Sequence, residues 1–87
     1  MENTTQTNEK VKVITIKVNN QPIGFQEKDV TGLQIKEAAI SKGVAIEKDF
    51  QLFEKHGDGK LTLIGDNENV KIHENEEFRA TAPDDNS

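Results

Sequence analysis

Residues 10–43 read KVKVITIKVNNQPIGFQEKDVTGLQIKEAAISKG, and within this stretch the apolar spacing passes from the period of a strand to that of a helix. From Lys10 to Val18 the apolar residues are all β-branched, which suits a strand. Ile14, Ile16 and Val18 share one phase and Val11 and Val13 the other, so this strand carries either a bulge between Val13 and Ile14 or cover on both faces. Ile14, Ile16 and Val18 are the expected core set. Asn19-Asn20 follows, and asparagine tolerates positive φ better than other non-glycine residues, which favours a two-residue hairpin turn. In the second strand, Gln21 to Glu27, Ile23 and Phe25 alternate with polar positions, and Pro22, lacking a backbone donor, points to an edge or terminal position. Thr31-Gly32-Leu33-Gln34 has the spacing of a capping box: the Thr31 hydroxyl accepts from the Gln34 amide and the Gln34 side chain reaches back. A helix is therefore expected over LQIKEAAISK, with a stripe of Leu33, Ile35, Ala38, Ala39 and Ile40, ended by a left-handed cap at Gly43.

Further strands are expected in QLFEKH, in KLTLI after a His56-Gly57-Asp58-Gly59 turn, and in Glu77 to Thr81, where Phe78 and Ala80 take the inward phase. Val70 and Ile72 make a brief apolar step between the polar loop Gly65 to Asn69 and a turn at Glu74-Asn75-Glu76. A hairpin, one strong helix and then strands describe an α+β fold of the β-grasp type: a mixed sheet of about four to five strands with the helix across one face. The expected organisation is a disordered arm at residues 1–9, the domain at residues 10–81 and a flexible tail at residues 82–87.

Composition narrows the function. Eighty-seven residues, 32% hydrophobic and 31% charged, leave room for one small core. Without cysteine there is no disulfide frame, thiolate metal site or cysteine nucleophile, and a reducing, cytoplasmic setting is expected. Nothing approaches the roughly 18 apolar residues of a membrane helix, and the polar start from Met1 to Lys10 suggests neither export nor a membrane role. A net charge of −5 disfavours nucleic acid and favours either a basic protein partner or simple solubility. His56 and His73 lack accompanying ligands, so neither a metal nor any other cofactor is expected. Gly57 to Lys60, GDGK, lacks the later glutamate of a calcium loop and the glycine spacing and Ser or Thr of a phosphate loop, and reads as a hairpin turn. Asp66, Glu68, Glu74, Glu76 and Glu77 read as a solvated acidic face, since so short a chain has little volume for a pocket that would separate carboxyl pKa values. The chain is not expected to be an enzyme.

ITIKVNNQP at the hairpin, DVTGLQIKEAA at the helix start, FQLFEK, LIGDNENVKIHENEEF and the closing Ala82-Pro83 together resemble the bacterial ubiquitin-like proteins of the multiubiquitin family, over Val13 to Pro83. The resemblance implies a protein modifier of a conjugation system, of a stress or phage-defence operon. An activating enzyme would adenylate its C-terminus with ATP, a carrier enzyme would receive it, and a deconjugating peptidase would trim or remove it. The reactive end would lie in Pro83, Asp84, Asp85, Asn86 and Ser87. This tail departs from the Gly-Gly of ubiquitin, where residues without Cβ thread a narrow channel. Either the enzymes accept a wider tail, or the route differs, or Ser87 is removed and Asn86 becomes the reactive end. Ubiquitin-like proteins also present an apolar patch on the exposed sheet face, for which Val11, Val13, Phe53 and Leu63 are candidates by phase; the alternative is that loops or edge residues cover them. The rival function is a non-covalent adaptor, or a self-associating module that uses exposed strand edges.

Overall fold

Asn19 and Asn20 have φ of 52° and 71°, the two left-handed residues a type I′ turn requires, and they close a hairpin between β1 (Ile14–Val18) and β2 (Gln21–Phe25). The computed structural model describes residues 13–83, so the expected arm at residues 1–9 lies outside the described residues. Ile16 pairs with Ile23 across the hairpin, and both are buried with Val18. Ile14 is half-buried and packs on the edge of this core.

After β2 comes a short strand that the residue pattern did not suggest, β3 (Asp29–Thr31), which leads directly into the helix α1 (Gly32–Ser41). The capping box forms as the spacing demands. The Gln34 amide donates to Thr31 Oγ1 at 3.2 Å, and the Thr31 amide donates to Gln34 Oε1 at 2.8 Å. At the other end the Gly43 amide donates to the Ile40 carbonyl and the Val44 amide to the Ala39 carbonyl, with Gly43 at φ +95°. This is a Schellman motif, and its apolar residue after the glycine, Val44, is buried. Ile35 and Ala39 carry the buried stripe, Ala38 and Ile40 pack beside it, and Leu33 is half-buried.

Four strands follow: β4 (Gln51–Lys55), β5 (Leu61–Ile64), β6 (Asn69–Lys71) and β7 (Glu77–Thr81). The main sheet has the order β2-β1-β7-β4-β5, with β7 parallel to β1 and antiparallel to β4. It is the five-stranded mixed sheet of a β-grasp with one helix on one face. β3 and β6 form a second, two-stranded sheet in which Val30 faces Val70, and both are buried. Pro22 sits in β2, an edge strand, where its missing donor costs no ladder bond. The His56–Gly59 segment is a hairpin turn, with Gly59 at φ +91° and the His56 amide donating to the Lys60 carbonyl at 2.8 Å.

The side chain of Asn19 extends the sheet beyond the short β1–β7 ladder. Its Nδ2 donates to the Ala80 carbonyl at 3.0 Å, and its Oδ1 accepts from the Ala80 amide at 2.8 Å. One amide side chain thus replaces a strand residue against β7 just before the chain end leaves the sheet.

Candidate functional site

β7 lies between β1 and β4, so the C-terminal end departs from the middle of the sheet rather than from an edge. Regular structure ends at Thr81, and Ala82 and Pro83 are exposed. Of the expected reactive tail, Pro83 is described; Asp84, Asp85, Asn86 and Ser87 lie outside the described residues.

Register assigns the sheet faces. Leu52, Ile64 and Ala80 occupy the buried face, so the residues next to them, Phe53, Leu63 and Arg79, point to the opposite one, where Phe53 stands between Leu63 and Arg79. In the adjacent row Lys55 stands between Leu61 and Glu77. Leu63 is 54% exposed and Leu61 45%, while Phe53 is half-buried. Lys55 Nζ approaches Glu77 Oε1 at 3.4 Å. The result is a small apolar surface bordered by cations. Leu61, which phase alone left unassigned, belongs to it, and its signal was its two-residue spacing from Leu63.

The four patch candidates do not come together. Phe53 and Leu63 are cross-strand partners. Val13, 56% exposed, lies instead over Gly24 of β2, where a Cβ would approach its Cγ1 to 2.9 Å, and β1 and β7 separate it from Phe53. Val11 lies outside the described residues.

The expected acidic face is also divided. Glu74 Oε1 accepts from the Thr15 amide, Glu76 Oε1 from the His73 amide and Glu68 Oε1 from the Gly65 amide, each at 3.0 Å. Asp66 pairs with Lys36 at 2.7 Å, and Glu77 with Lys55. Turns and strand ends leave amide donors without ladder partners, and Glu68, Glu74 and Glu76 each take one locally, while Glu74, Glu76 and Glu77 still line one cleft with Lys55 and His56.

Two polar residues missed in the sequence matter more. Lys36 is 3% exposed, although it sits on the helix. Its Nζ donates to the Lys48 carbonyl at 2.6 Å and the Phe50 carbonyl at 2.8 Å and meets Asp66 Oδ1, which fills all three ammonium donors. The available signal was its spacing from Gly32 and Ile40, one turn away on each side. Glu54 shares the inward phase of Leu52, past the cover of the helix. A side-chain hydrogen bond with Glu76, then partial burial and the neighbouring Glu76 charge, push its carboxyl up from 4.5 to about 7; His56 opposes this and Glu68 adds to it.

The folded state therefore holds the Glu54 proton more tightly than the unfolded chain. That contribution is fully present below pH 4.5 and is lost as the pH rises through about 7. Glu54→Gln keeps a donor toward Glu76 at every pH. The variant should match the parent at pH 5 and exceed it at pH 8 by about 1 kcal/mol, a value reduced for solvent screening. Urea midpoints at the two pH values measure this, and an unchanged pH dependence in the variant would contradict the shared proton.

Both histidines are exposed, and His56 Nε2 lies 2.7 Å from Thr62 Oγ1. Among the described residues no group of three His, Asp or Glu side chains is placed to hold a metal ion. Among them, too, no helix is long and apolar enough to cross a membrane.

The family model for Multiubiquitin matches residues 14–84. The chain belongs to the multiubiquitin family. It is thus a ubiquitin-like protein, in agreement with the mixed sheet and single helix. No curated protein and no solved structure matches it.

Proposed function

We propose that this chain is a protein modifier whose C-terminal end is activated by a cognate enzyme with ATP, passed to a carrier enzyme and then to a target, with a peptidase reversing the step. The observation that supports the reading is the departure of the chain end from the central strand β7, in the same sheet that carries the half-buried Phe53 and the exposed Leu63, in a member of a ubiquitin-like family. The chemistry belongs to the partners; this chain supplies a carboxyl group and a docking face.

Incubation with ATP and candidate activating and carrier enzymes tests the reading. Mass spectrometry should detect an adduct through the tail of the full chain and none on a chain ending at Thr81. An intact Ser87 throughout, with no adduct, would overturn it. The docking face has its own test. Because Leu63 is more than half exposed, Leu63→Ser should change stability by less than about 0.5 kcal/mol, while weakening the activating-enzyme complex by about tenfold, the loss of one central apolar contact. Equal binding by both forms would remove Leu63 from the interface.

A second reading, a non-covalent adaptor, is favoured by the β5 edge. Among the described residues β5 pairs only with β4, and its exposed leucines make that edge a ready template for another strand. Wild-type function in the chain ending at Thr81 would favour it over conjugation.

A further inference from the structure

The β5 edge of the sheet is complementary to itself. The Ala80 amide donates to the Asn19 side chain and the Phe78 carbonyl accepts from the Asn19 amide, so Phe78 and Ala80 turn their backbone toward β1 and Arg79 turns its own toward β4. Alternation across the antiparallel ladders then makes Phe53 and Arg79 a hydrogen-bonded pair, and leaves Glu54 with Thr62 and Leu52 with Ile64 as the bonded pairs of β4 and β5. The His56 amide, donating to the Lys60 carbonyl at 2.8 Å, fits the same alternation. Leu61 and Leu63 therefore point both backbone groups out of the sheet. Among the described residues β5 pairs only with β4.

The positions on either side are closed. At Gly65, the next outward position, the amide donates to Glu68 Oε1 at 3.0 Å and the carbonyl accepts from the Glu68 amide at 3.1 Å. Gly59, the outward position before Leu61, bends into the turn at φ +91° with its amide on the His56 carbonyl. An antiparallel partner must set outward residues opposite outward residues. A two-fold axis through Leu63 would place Leu61 against the closed Gly65, and one through Leu61 would place Leu63 against the turn at Gly59. The axis at Thr62 sets Leu61 against Leu63 of a second copy, twice, and uses every open group of both edges.

We propose that two copies of this chain pair through β5, antiparallel about a two-fold axis at Thr62, and so join their sheets into one. Backbone bonds link Leu61 of each copy to Leu63 of the other. On the face that carries Phe53, one row then runs Phe53, Leu63, Leu61 of the second copy and Lys55 of the second copy, so the two leucines, 54% and 45% exposed in the single chain, cover each other. Lys60 falls opposite Ile64, and no like charges face each other along the strand. The inference rests on the reading of β5 as an open template edge and assigns that edge one partner. It is independent of conjugation, since β7 and the chain end lie two strands in from β5.

The chain has no cysteine, so a single introduced thiol reports the register. At the axis the two Thr62 residues form a non-hydrogen-bonded pair with Cα atoms about 4.5 Å apart, within disulfide range. Mild oxidation should therefore link Thr62→Cys into a dimer about tenfold faster than Leu61→Cys or Leu63→Cys, each of which faces a different residue. Thr62 is exposed, so the fold persists. So short an edge associates weakly, and the isotope-labelled parent chain at about 1 mM should show NMR shifts and slowed exchange of the Leu61 and Leu63 amides, with those of Thr62 and Ile64, already bonded to β4, unchanged. A monomer by sedimentation at that concentration, or equal cross-linking of the three variants, would overturn the proposal. A blocked threonine–valine heptapeptide added to the parent chain separates the two levels. Protection of Leu61 and Leu63 by the peptide in a chain that stays monomeric keeps the open edge and overturns self-pairing, and no protection in either case overturns both.

Discussion

Lys36→Met should unfold roughly 10–20 °C below the parent chain, a loss of about 2–3 kcal/mol in a domain of this size. Methionine reproduces most of the apolar stem, so the volume of the site is nearly kept. What disappears is a donor that reaches three acceptors: the Lys48 and Phe50 carbonyls in the connection to β4, and Asp66 in the loop between β5 and β6. The two carbonyls are left without their partner, at a desolvation cost of about 1–3 kcal/mol for each group that water does not reach. Asp66 is half exposed and regains water, so its share is smaller. Asp66→Asn should accordingly cost less than Lys36→Met, since the ammonium keeps both carbonyls. Thermal unfolding of the two variants orders them. A Lys36→Met chain within about 0.5 kcal/mol of the parent would show that the contacts are redundant.

The hairpin, the helix and both helix caps were legible because each is set by chemistry within a few residues. Two asparagines suffice for the turn, and Thr31 with Gln34 for the helix start. The β3–β6 sheet was not legible, because a three-residue strand has one inward position, and Val30 meets Val70 only after thirty-nine intervening residues have been placed. Phase predicted which residues leave the core face but not where they lie across the sheet. Phe53 and Leu63 met because β4 and β5 are joined by a short turn; Val13 was set apart by β1 and β7, a consequence of strand order. Carboxylates close in sequence looked like one face because charge was counted along the chain. In space each answers a nearby amide or cation, and Glu54, which the sequence did not single out, has its carboxyl pushed up by Glu76.

Gly32→Ala provides the second large effect, and its sign opposes the local rule. Alanine is a better helix former than glycine by about 1 kcal/mol, so propensity alone predicts a gain at the first residue of α1. In the structure a Cβ there would overlap the Gly65 carbonyl oxygen and stand 3.1 Å from the Gly65 carbonyl carbon and from Ile64 Cγ2. Backbone cannot swing aside as a flexible side chain does. The helix start is also pinned to the same loop, since the Gly32 amide donates to the Glu68 carbonyl at 3.2 Å and the Leu33 amide to the Asp66 carbonyl at 3.1 Å. Relieving the overlap means moving α1 away from residues 65–68, and with them Asp66 away from Lys36. The expected result is a net loss of about 2–3 kcal/mol, the scale of overpacking in a closed site. Gly57→Ala is the control: a Cβ there meets nothing within 4 Å, and its stability should stay within about 0.5 kcal/mol of the parent. Urea unfolding of the two variants decides the matter. If Gly32→Ala is more stable than the parent, helix propensity governs this position and the close approach to Gly65 does not hold the loop.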